Sequence, residues 1–363
     1  MTQTGKENAC RTVIPELLDW YDRNARKLPW RQTKDPYFIW VSEIMLQQTR
    51  VETVIPYYHR FLSKLPTIQD LAQAEDETLM KLWEGLGYYS RVKNMRRAAQ
   101  EICQTNGGQM PCEYDQIRKL CGIGDYTAGA IASFAFGKPF PAVDGNVMRV
   151  AARLRDDSSN ILQSQTKKET TAFIRDLMPL DDAARFNQAM IELGATVCKP
   201  TGMAGGPDCE KCPFGRVCLA RLNGHEFELP NRVPILKHKE EDRTVFKIWM
   251  GDKVAIQKRP DTGLLASLFE FPNASGKLDM AQAVRWLKQK GFSVIRMAEM
   301  PESKHVFTHL TWHMTAWSIL VSEDTVVPEG VLFVSNEELL SRYAVPKAFG
   351  AYIEQKGFFD NTQ

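Results

Sequence analysis

The chain has 363 residues, which is long for one domain, so we expect two or three domains. It carries 46 lysines and arginines against 44 aspartates and glutamates, and this balance excludes a protein that binds polyanions over its whole surface. The first 20 residues lack a signal-peptide pattern, and no apolar stretch reaches membrane-spanning length. We therefore expect a soluble, cytoplasmic protein.

The spacing of apolar residues divides the chain into a helical part and a mixed part. From residue 16 to about 222, apolar residues recur every three or four positions, which predicts helices, most clearly at 15–24, 36–49, 53–65, 76–84, 91–105 and 166–178. Two prolines and a charge run predict a linker at 224–242. Beyond it, five alternating segments predict strands, with one helix near 280–291.

One predicted helix, in IWVSEIMLQ, contains a glutamate among apolar neighbours. A lone helical glutamate usually faces solvent, but Trp40, Ile44 and Gln47 share the helical face of Glu43. This arrangement favours a buried carboxyl. The polar run that ends this helix, Gln47 to Arg50, has side chains that can hydrogen-bond base edges.

A glycine turn follows in LWEGLGYYSRVKNM, where Gly85 and Gly87 precede Tyr88 and Tyr89. Tyrosines at such a turn are more often packed in the core than exposed. Because basic residues follow, stacking on nucleic-acid bases is the functional alternative.

The most informative stretch is LCGIGDYTAGAIASFAFGKPFPAVDGN, residues 120–146. It predicts two helices joined by a tight turn at Gly122 and Gly124, whose exposed N–H groups at a helix start can bind a phosphate. An extended loop then delivers Asp144. The alternatives are an ordinary helical hairpin and an aspartate that only caps the next helix.

Four cysteines, Cys198, Cys209, Cys212 and Cys218, fall within 21 positions. In a chain without an export signal this pattern indicates a metal site more than disulfides. The other four cysteines have no such spacing.

Together these segments resemble the endonuclease III superfamily of DNA glycosylases, whose signature is a helix-hairpin-helix and a glycine/proline-rich loop ending in an aspartate. The resemblance becomes close to the MutY family of adenine DNA glycosylases and spans nearly the whole chain. It implies a mainly α catalytic region at 1–223, with a six-helix and hairpin subdomain at about 30–135 and an iron-sulfur subdomain at 1–29 and 136–223. After the linker, residues 243–363 would form a smaller α+β domain similar to Nudix (MutT) proteins.

The resemblance also implies site residues. Glu43 would protonate adenine, while Asp144 would stay ionised and stabilise the oxocarbenium-like sugar or attack it transiently; Tyr126 and Asn146 would assist. Superfamily members that also cleave the DNA backbone have a lysine at the position of Tyr126. A monofunctional enzyme, which removes the base and leaves the DNA backbone intact, is therefore expected. The implied adenine pocket is Arg26, Leu28, Trp30, Arg31 and Gln188, and the implied contacts to the partner strand are Leu46, Gln48, Thr49 and Tyr88, with Gly122 and Gly124 at the hairpin.

For the cysteines the resemblance implies a [4Fe-4S] cluster. The family's usual spacing is C-x6-C-x2-C-x5-C, and this chain has four extra residues between Cys198 and Cys209. Loop-closure entropy grows only logarithmically with length, so the insertion should not prevent ligation. A zinc site is the alternative, although zinc modules usually carry two close cysteine pairs.

In the C-terminal domain, GLLASLFEFPN resembles a Nudix motif, but the helix after it lacks the glutamates that bind Mg²⁺, so a binding role is expected. Phe307, Thr308 and His309 match the Phe-Ser-His loop with which the family reads 8-oxoguanine. The alternative is a strand end whose aromatics pack on the sheet. The threonine keeps the hydroxyl and adds a methyl group.

The leading hypothesis is a monomeric, base-flipping enzyme that hydrolyses adenine from duplex DNA where it is mispaired with 8-oxoguanine, and also from A:G. In a bacterium it would be nucleoid-associated. The alternatives are a thymine (T:G) mismatch glycosylase and a non-catalytic damage-binding protein. The presence of both Glu43 and Asp144 argues against the second of these.

Overall fold

The computed structural model describes residues 3–202, 205–233 and 238–353. Residues 234–237 of the expected linker, two residues of the loop between Cys198 and Cys209, and the C-terminal end lie outside the described residues. The chain divides into two compact units, Met1–Gln73 with Asn94–Ile235, and Ala74–Lys93 with Leu236–Gln363. In the described ranges no helix is long and apolar enough to cross a membrane.

Up to residue 223 the described chain is helical, as its spacing predicts. The helices are α1 Gln3–Thr12, α2 Ile14–Asn24, α3 Pro36–Met45, α4 Val51–Lys64, α5 Ile68–Gln73, α6 Asp76–Trp83, α7 Ser90–Asn106, α8 Tyr114–Lys119, α9 Asp125–Phe134, α10 Gly145–Arg155, α11 Ser164–Leu177, α12 Ala183–Thr196 and α13 Leu219–Asn223. Residues Pro29–Arg31 form a 3₁₀ turn.

In the first unit, one core forms where α2, α10 and α12 pack together. Leu17, Phe186, Met190 and Leu193 are fully buried there, at helical spacing along their elements. A second contact joins α3 to α9, whose buried residues are mostly small, namely alanine, glycine, serine and threonine. The small side chains let the loop before α10 lie directly on α9: a Cβ at Gly129 would come within 2.1 Å of the Pro141 carbonyl oxygen.

The second unit contains a mixed seven-stranded sheet. Its strands are β1 Lys239–Met250, β2 Lys253–Lys258, β3 Phe269–Glu270, β4 Asn273–Ser275, β5 Val294–Val306, β6 Leu310–Val321 and β7 Val331–Val334, and its later helices are α14 Met280–Gln289, α15 Asn336–Ser341 and α16 Gly350–Ile353. The main order is β3-β2-β1-β6-β5, with β4 beside β1 and β7 beside β2. Only the β1–β6 pair is parallel among the described pairs.

Apolar clusters cover both faces of this sheet. α14 packs through Ala283 and Leu287 on one face, while Leu339 and Tyr352 lie in the cluster on the other. The five strands and the helix predicted from sequence are present. The two strands that the sequence missed, β3 and β4, are two and three residues long, too short for alternation to show.

Three side chains of the segment that contains α6 make polar contacts inside the second unit. The Lys81 Nζ donates to the Leu340 carbonyl oxygen at 2.5 Å, and Glu84 accepts from the Val345 backbone N–H at 3.1 Å. Arg342 forms an ion pair with Glu77 at 3.1 Å.

Candidate active site

Glu43 lies near the end of α3, a helix that begins where Asp35 caps Pro36–Met45 and accepts a hydrogen bond from the Tyr37 N–H at 2.8 Å. The helix is apolar on most sides, and Glu43 is only 5% exposed. Burial raises the pKa of Glu43 to about 7, although a hydrogen bond from Tyr126 opposes the rise. Glu43 is therefore a carboxyl that is about half protonated near neutral pH.

Tyr126 lies in the first turn of α9, next to the hairpin. Its hydroxyl donates to Glu43 Oε2 at 2.6 Å. Burial, followed by the charges of Glu43 and Asp144, raises the pKa of the phenol well above its usual value, so it stays a hydrogen-bond donor. Tyr126 thus binds one carboxylate and lies in the electrostatic field of the other.

The turn between α8 and α9 contains one conformationally special glycine. Gly122 has φ +79°, and a Cβ there would meet the Asn94 Cβ at 2.7 Å. Gly124, which the sequence analysis treated in the same way, has φ −93° and open space around it. It is the N-cap residue of α9, and it makes no side-chain hydrogen bond there.

Asp144 caps α10, as the sequence alternative proposed. Its Oδ1 accepts from the Val147 N–H at 2.8 Å, and its Oδ2 accepts from the Asn146 Nδ2 at 2.7 Å. Burial raises the pKa of Asp144, while these hydrogen bonds oppose the rise. Both hydrogen bonds and the helix dipole favour the ionised form of Asp144. The contacts with which Asp144 caps α10 therefore also stabilise its negative charge.

Behind Asp144 a chain of hydrogen bonds runs toward the cysteines. The Arg149 Nη2 donates to Asn146 Oδ1 and to the Gly194 carbonyl oxygen, both at 2.9 Å, and the Arg149 Nε donates to the Cys198 carbonyl oxygen at 2.8 Å. The orientation of Asn146, and through it that of Asp144, therefore depends on Arg149.

Gly194 offers a test of this arrangement. An added Cβ would lie 2.6 Å from the Asn146 Cβ, so we expect Gly194→Ala to displace Asn146 and to lower the single-turnover activity of this site about tenfold or more, equivalent to losing one hydrogen bond to a charged group. The control is Gly350→Ala, also in a helix, where an added Cβ meets nothing within 4 Å. Full activity of the Gly194 variant would show that Asn146 does not position Asp144.

A single cavity in the first unit, ≈1170 Å³ in volume, brings most of the predicted site residues together. It is large enough for a purine and its sugar. Its lining includes Glu43, Tyr126, Asp144, Asn146, Arg26, Leu28, Trp30, Arg31, Gln188, Leu46, Gln48, Thr49 and Gly124. The hairpin's Gly122 is not among the lining residues, and Tyr88, Phe307, Thr308 and His309 belong to the second unit.

Glu192 is a residue that the sequence analysis missed. Its carboxylate is fully buried in α12 and accepts from the Arg26 Nε at 2.8 Å, the Arg26 Nη2 at 2.9 Å and the Arg31 Nη2 at 2.8 Å. Burial alone would raise the pKa of Glu192, but the bonds from Arg26 and Arg31 outweigh it and lower the pKa to about 2. The carboxylate therefore stays ionised and fixes both arginines at the cavity wall. An unexplained glutamate in a helix of apolar residues was the available signal.

In the second unit, two of the predicted DNA-contacting residues touch each other. The hydroxyls of Tyr88 and Thr308 form a hydrogen bond, and Tyr88 has a left-handed backbone with φ +47°. Phe307 packs edge-on against Trp312, with ring centroids 4.9 Å apart. This contact agrees with the alternative interpretation, in which the aromatic residues at this strand end pack on the sheet. Thr308 and His309 are exposed.

The four spaced cysteines follow α12 and precede α13, and all are free thiols. Burial, and secondly the nearby Cys198, raises the pKa of Cys212 to about 12. The Arg153 Nη1 donates to the Cys198 Sγ at 3.1 Å, while its Nη2 is buried without a partner. Across the described residues no three His, Cys, Asp or Glu side chains are arranged to hold a metal ion.

The hairpin, the capped aspartate and the buried glutamate define the class of protein: these are the features of a helix-hairpin-helix base-excision glycosylase. Residues 41–179 match the family described as "HhH-GPD superfamily base excision DNA repair protein", and residues 244–355 match the NUDIX domain. The structure is similar to that of a thermostable thymine-DNA glycosylase, with TM-score 0.53 and 26% identity, over 61% of this chain and 100% of that one. Endonuclease III in a trapped complex with DNA has the same fold, with TM-score 0.51 and 24% identity. The match covers 60% of this chain and 98% of that one.

Curated relatives narrow the class further. The adenine DNA glycosylase of Buchnera aphidicola subsp. Baizongia pistaciae is 34% identical over 85% of this chain and 86% of its own length. The human enzyme is 32% identical over 94% of this chain and 74% of its own length. That of Arabidopsis thaliana is 34% identical over 84% of this chain but only 56% of its own length. The chain belongs to the adenine DNA glycosylase family.

Proposed function

We propose that this enzyme excises adenine mispaired with 8-oxoguanine, and adenine from A:G, by hydrolysing the N-glycosidic bond of an extruded nucleotide. The observation that carries the proposal is one cavity with two carboxyls held in different environments, Glu43 in an apolar helix and Asp144 at a helix cap. Extruding a base costs on the order of a few kcal/mol, and the cost is least when the base is mispaired.

Glu43 is proposed to donate a proton to adenine N7. Adenine leaves poorly as an anion, and a glutamate with an ordinary pKa near 4.3 would be protonated in only about one molecule in 500 at pH 7. With the pKa at about 7, roughly half of the molecules carry the proton. The hydrogen bond from Tyr126 to Oε2 leaves Oε1 to hold that proton toward the cavity.

Asp144 is proposed to stabilise the positive charge that develops on the sugar. A charge pair at about 4 Å and an effective dielectric of about 20 is worth about 4 kcal/mol, or roughly a thousandfold in rate. The same carboxylate can attack the sugar transiently, as in retaining glycosidases. Because Tyr126 presents a phenol and not an amine, no Schiff base forms there, and the phosphodiester backbone stays intact.

The proposed contacts to DNA come from both units. Arg26, Leu28, Trp30, Arg31 and Gln188 surround the extruded adenine, and Leu46, Gln48 and Thr49 face the partner strand. Gly122 and Gly124 leave the hairpin N–H groups open to a phosphate. In the second unit, the exposed Thr308 hydroxyl is proposed to read 8-oxoguanine beside His309, with Phe307 bracing the loop on Trp312.

We also propose that Cys198, Cys209, Cys212 and Cys218 hold a [4Fe-4S] cluster. Such a cluster, bound by four thiolates, is anionic and accepts hydrogen bonds at sulfur. Arg153 fits this charge, because its guanidinium already contacts Cys198 and keeps one buried N–H group without a partner. The cluster would brace the loop 198–218, and the redox state has no part in the proposed excision.

The cluster proposal is tested by metal analysis of the purified protein. We expect about four irons per chain and a broad absorbance near the boundary of the visible and ultraviolet ranges. Cys212→Ser should lose both, while Cys121→Ser, which lies outside the spaced set, should keep both. If the protein contains zinc and lacks that absorbance, the four cysteines form a zinc site, and the cluster proposal is wrong.

The proposed activity is tested by single-turnover assays on three duplexes with A opposite 8-oxoguanine, A opposite G, and T opposite G. We expect excision from the first, slower excision from the second and none from the third, with no strand cleavage before alkali treatment. Inactivity on both adenine duplexes would refute the proposal. Excision of T alone would favour the mismatch alternative, and binding without excision of any base would favour a damage-binding protein.

A further inference from the structure

Behind the cavity wall, Tyr21 of α2 bonds to a residue of that wall. The Tyr21 hydroxyl donates to Gln188 Oε1 at 2.5 Å, across 167 positions of sequence. Gln188 lines the cavity, whereas Tyr21 is 9% exposed and is not among the lining residues. The Tyr21 hydroxyl therefore acts on an extruded base through the Gln188 amide and not by direct contact.

Both partners of this hydrogen bond are held from other sides. The Arg31 guanidinium lies over the Tyr21 ring, 5.5 Å from its centroid, and is itself bound to the buried Glu192. The residue before Gln188, Asn187, accepts from the Ala142 N–H at 3.0 Å and donates to the Phe140 carbonyl oxygen at 2.9 Å. The phenol and the amide consequently have little freedom to separate.

The direction of the bond decides what Gln188 offers to a base. Because Oε1 accepts from Tyr21, the Nε2–H₂ group is the end of the amide left to face the cavity. A 6-aminopurine presents an acceptor at N1, whereas a 6-oxopurine such as hypoxanthine or guanine presents an N1–H donor there. Two donors facing each other leave both buried groups unsatisfied, which costs binding free energy.

We propose that Tyr21 is a positioning residue for base specificity: it holds the Gln188 amide with its N–H₂ toward the cavity, and the site therefore accepts 6-aminopurines and rejects 6-oxopurines. The inference rests on the proposed excision of adenine. Burial raises the pKa of Tyr21, so the phenol keeps its proton across the neutral pH range.

The test is Tyr21→Phe in single-turnover excision from three matched duplexes that carry adenine, 1-deazaadenine or hypoxanthine opposite 8-oxoguanine. The ratio of variant to wild-type rate is taken for each base, so that differences between the duplexes cancel. We expect the adenine rate to fall roughly tenfold, as for one buried hydrogen bond, and the 1-deazaadenine and hypoxanthine rates to change less than twofold. The preference for adenine over hypoxanthine then falls by about tenfold.

Two further variants separate positioning from folding. Tyr37→Phe also removes a buried phenol hydroxyl, which donates to the Leu65 carbonyl oxygen at 2.9 Å. For this variant the ratio of variant to wild-type rate should be the same for adenine, 1-deazaadenine and hypoxanthine. In a Gln188→Leu background, Tyr21→Phe should have no additional effect, whereas a merely structural role would lower the rate again.

Each remaining outcome contradicts the inference. An equal loss on all three bases would make Tyr21 structural, and a larger preference for adenine would require the opposite orientation of the amide. If the wild-type enzyme does not excise adenine at all, the proposed function fails first, and that result is distinct from an active wild type whose Tyr21 variant keeps its base preference.

Discussion

Replacing Asp144 with asparagine is expected to lower single-turnover adenine excision about a thousandfold and to leave duplex binding within a fewfold of wild type. Asparagine is also a good helix cap, so the bond from the Val147 N–H can persist and α10 should still begin at the same place. The amide lacks the full negative charge that the sugar cation requires. Chemistry is lost while the fold and the DNA-binding surface remain.

The measurement is a rapid-quench time course with enzyme in excess, together with a fluorescence anisotropy titration of the same duplex. Asp279→Asn is a matched control, because Asp279 also caps a helix, accepting from the Gln282 N–H at 2.8 Å, but in the second unit. It should keep full excision. A rate for Asp144→Asn within tenfold of wild type would remove Asp144 from the proposed chemistry.

Glu43→Gln is expected to lower excision by at least about a hundredfold, the usual contribution of a general acid. Glutamine has nearly the same shape and can still accept the hydrogen bond from Tyr126, but it has no proton to give. Since burial raises the pKa of Glu43 to about 7, above its value in the unfolded chain, wild type loses stability as the pH rises from that unfolded value through about 7. The variant should therefore be at least as stable as wild type at pH 8.

A modified substrate shows where the proton goes. With 7-deazaadenine, which has no lone pair at N7, wild-type enzyme should be as slow as Glu43→Gln is on adenine, and the two changes together should not add. Thermal unfolding at pH 8 checks that the variant is folded. Normal excision by Glu43→Gln, or additive losses in the combined experiment, would place the acid elsewhere.

Several features of the fold and site followed from local sequence patterns. Burial of Glu43 followed from its apolar helical neighbours, and the cap at Asp144 followed from the residue types around the start of α10. The long strand β6 matches the predicted segment at both ends, because the segment is rich in β-branched and aromatic residues and is bounded by polar positions.

Other features depended on tertiary contacts that sequence spacing does not encode. The predicted helix 36–49 ends instead at Met45, and Gln48 adopts φ +60°, a turn that no glycine marks. The partners of Glu192 and Tyr21 come from distant parts of the chain: Glu192 accepts from Arg26, and Tyr21 donates to Gln188. The hydrogen bond from Tyr126 to Glu43 joins residues 83 positions apart, and it forms because α3 and α9 are neighbours in the fold.

Glu43 is proposed to act in its protonated form, with a pKa that burial raises and the hydrogen bond from Tyr126 lowers. The most direct test is the pH dependence of single-turnover adenine excision by wild type and by Tyr126→Phe. We expect the wild-type rate to fall as the pH rises through about 7, and the fall to move to higher pH in the variant, which lacks the bond that stabilises the carboxylate. A wild-type rate that stays constant well above pH 7, or a fall that moves to lower pH in Tyr126→Phe, would contradict the account.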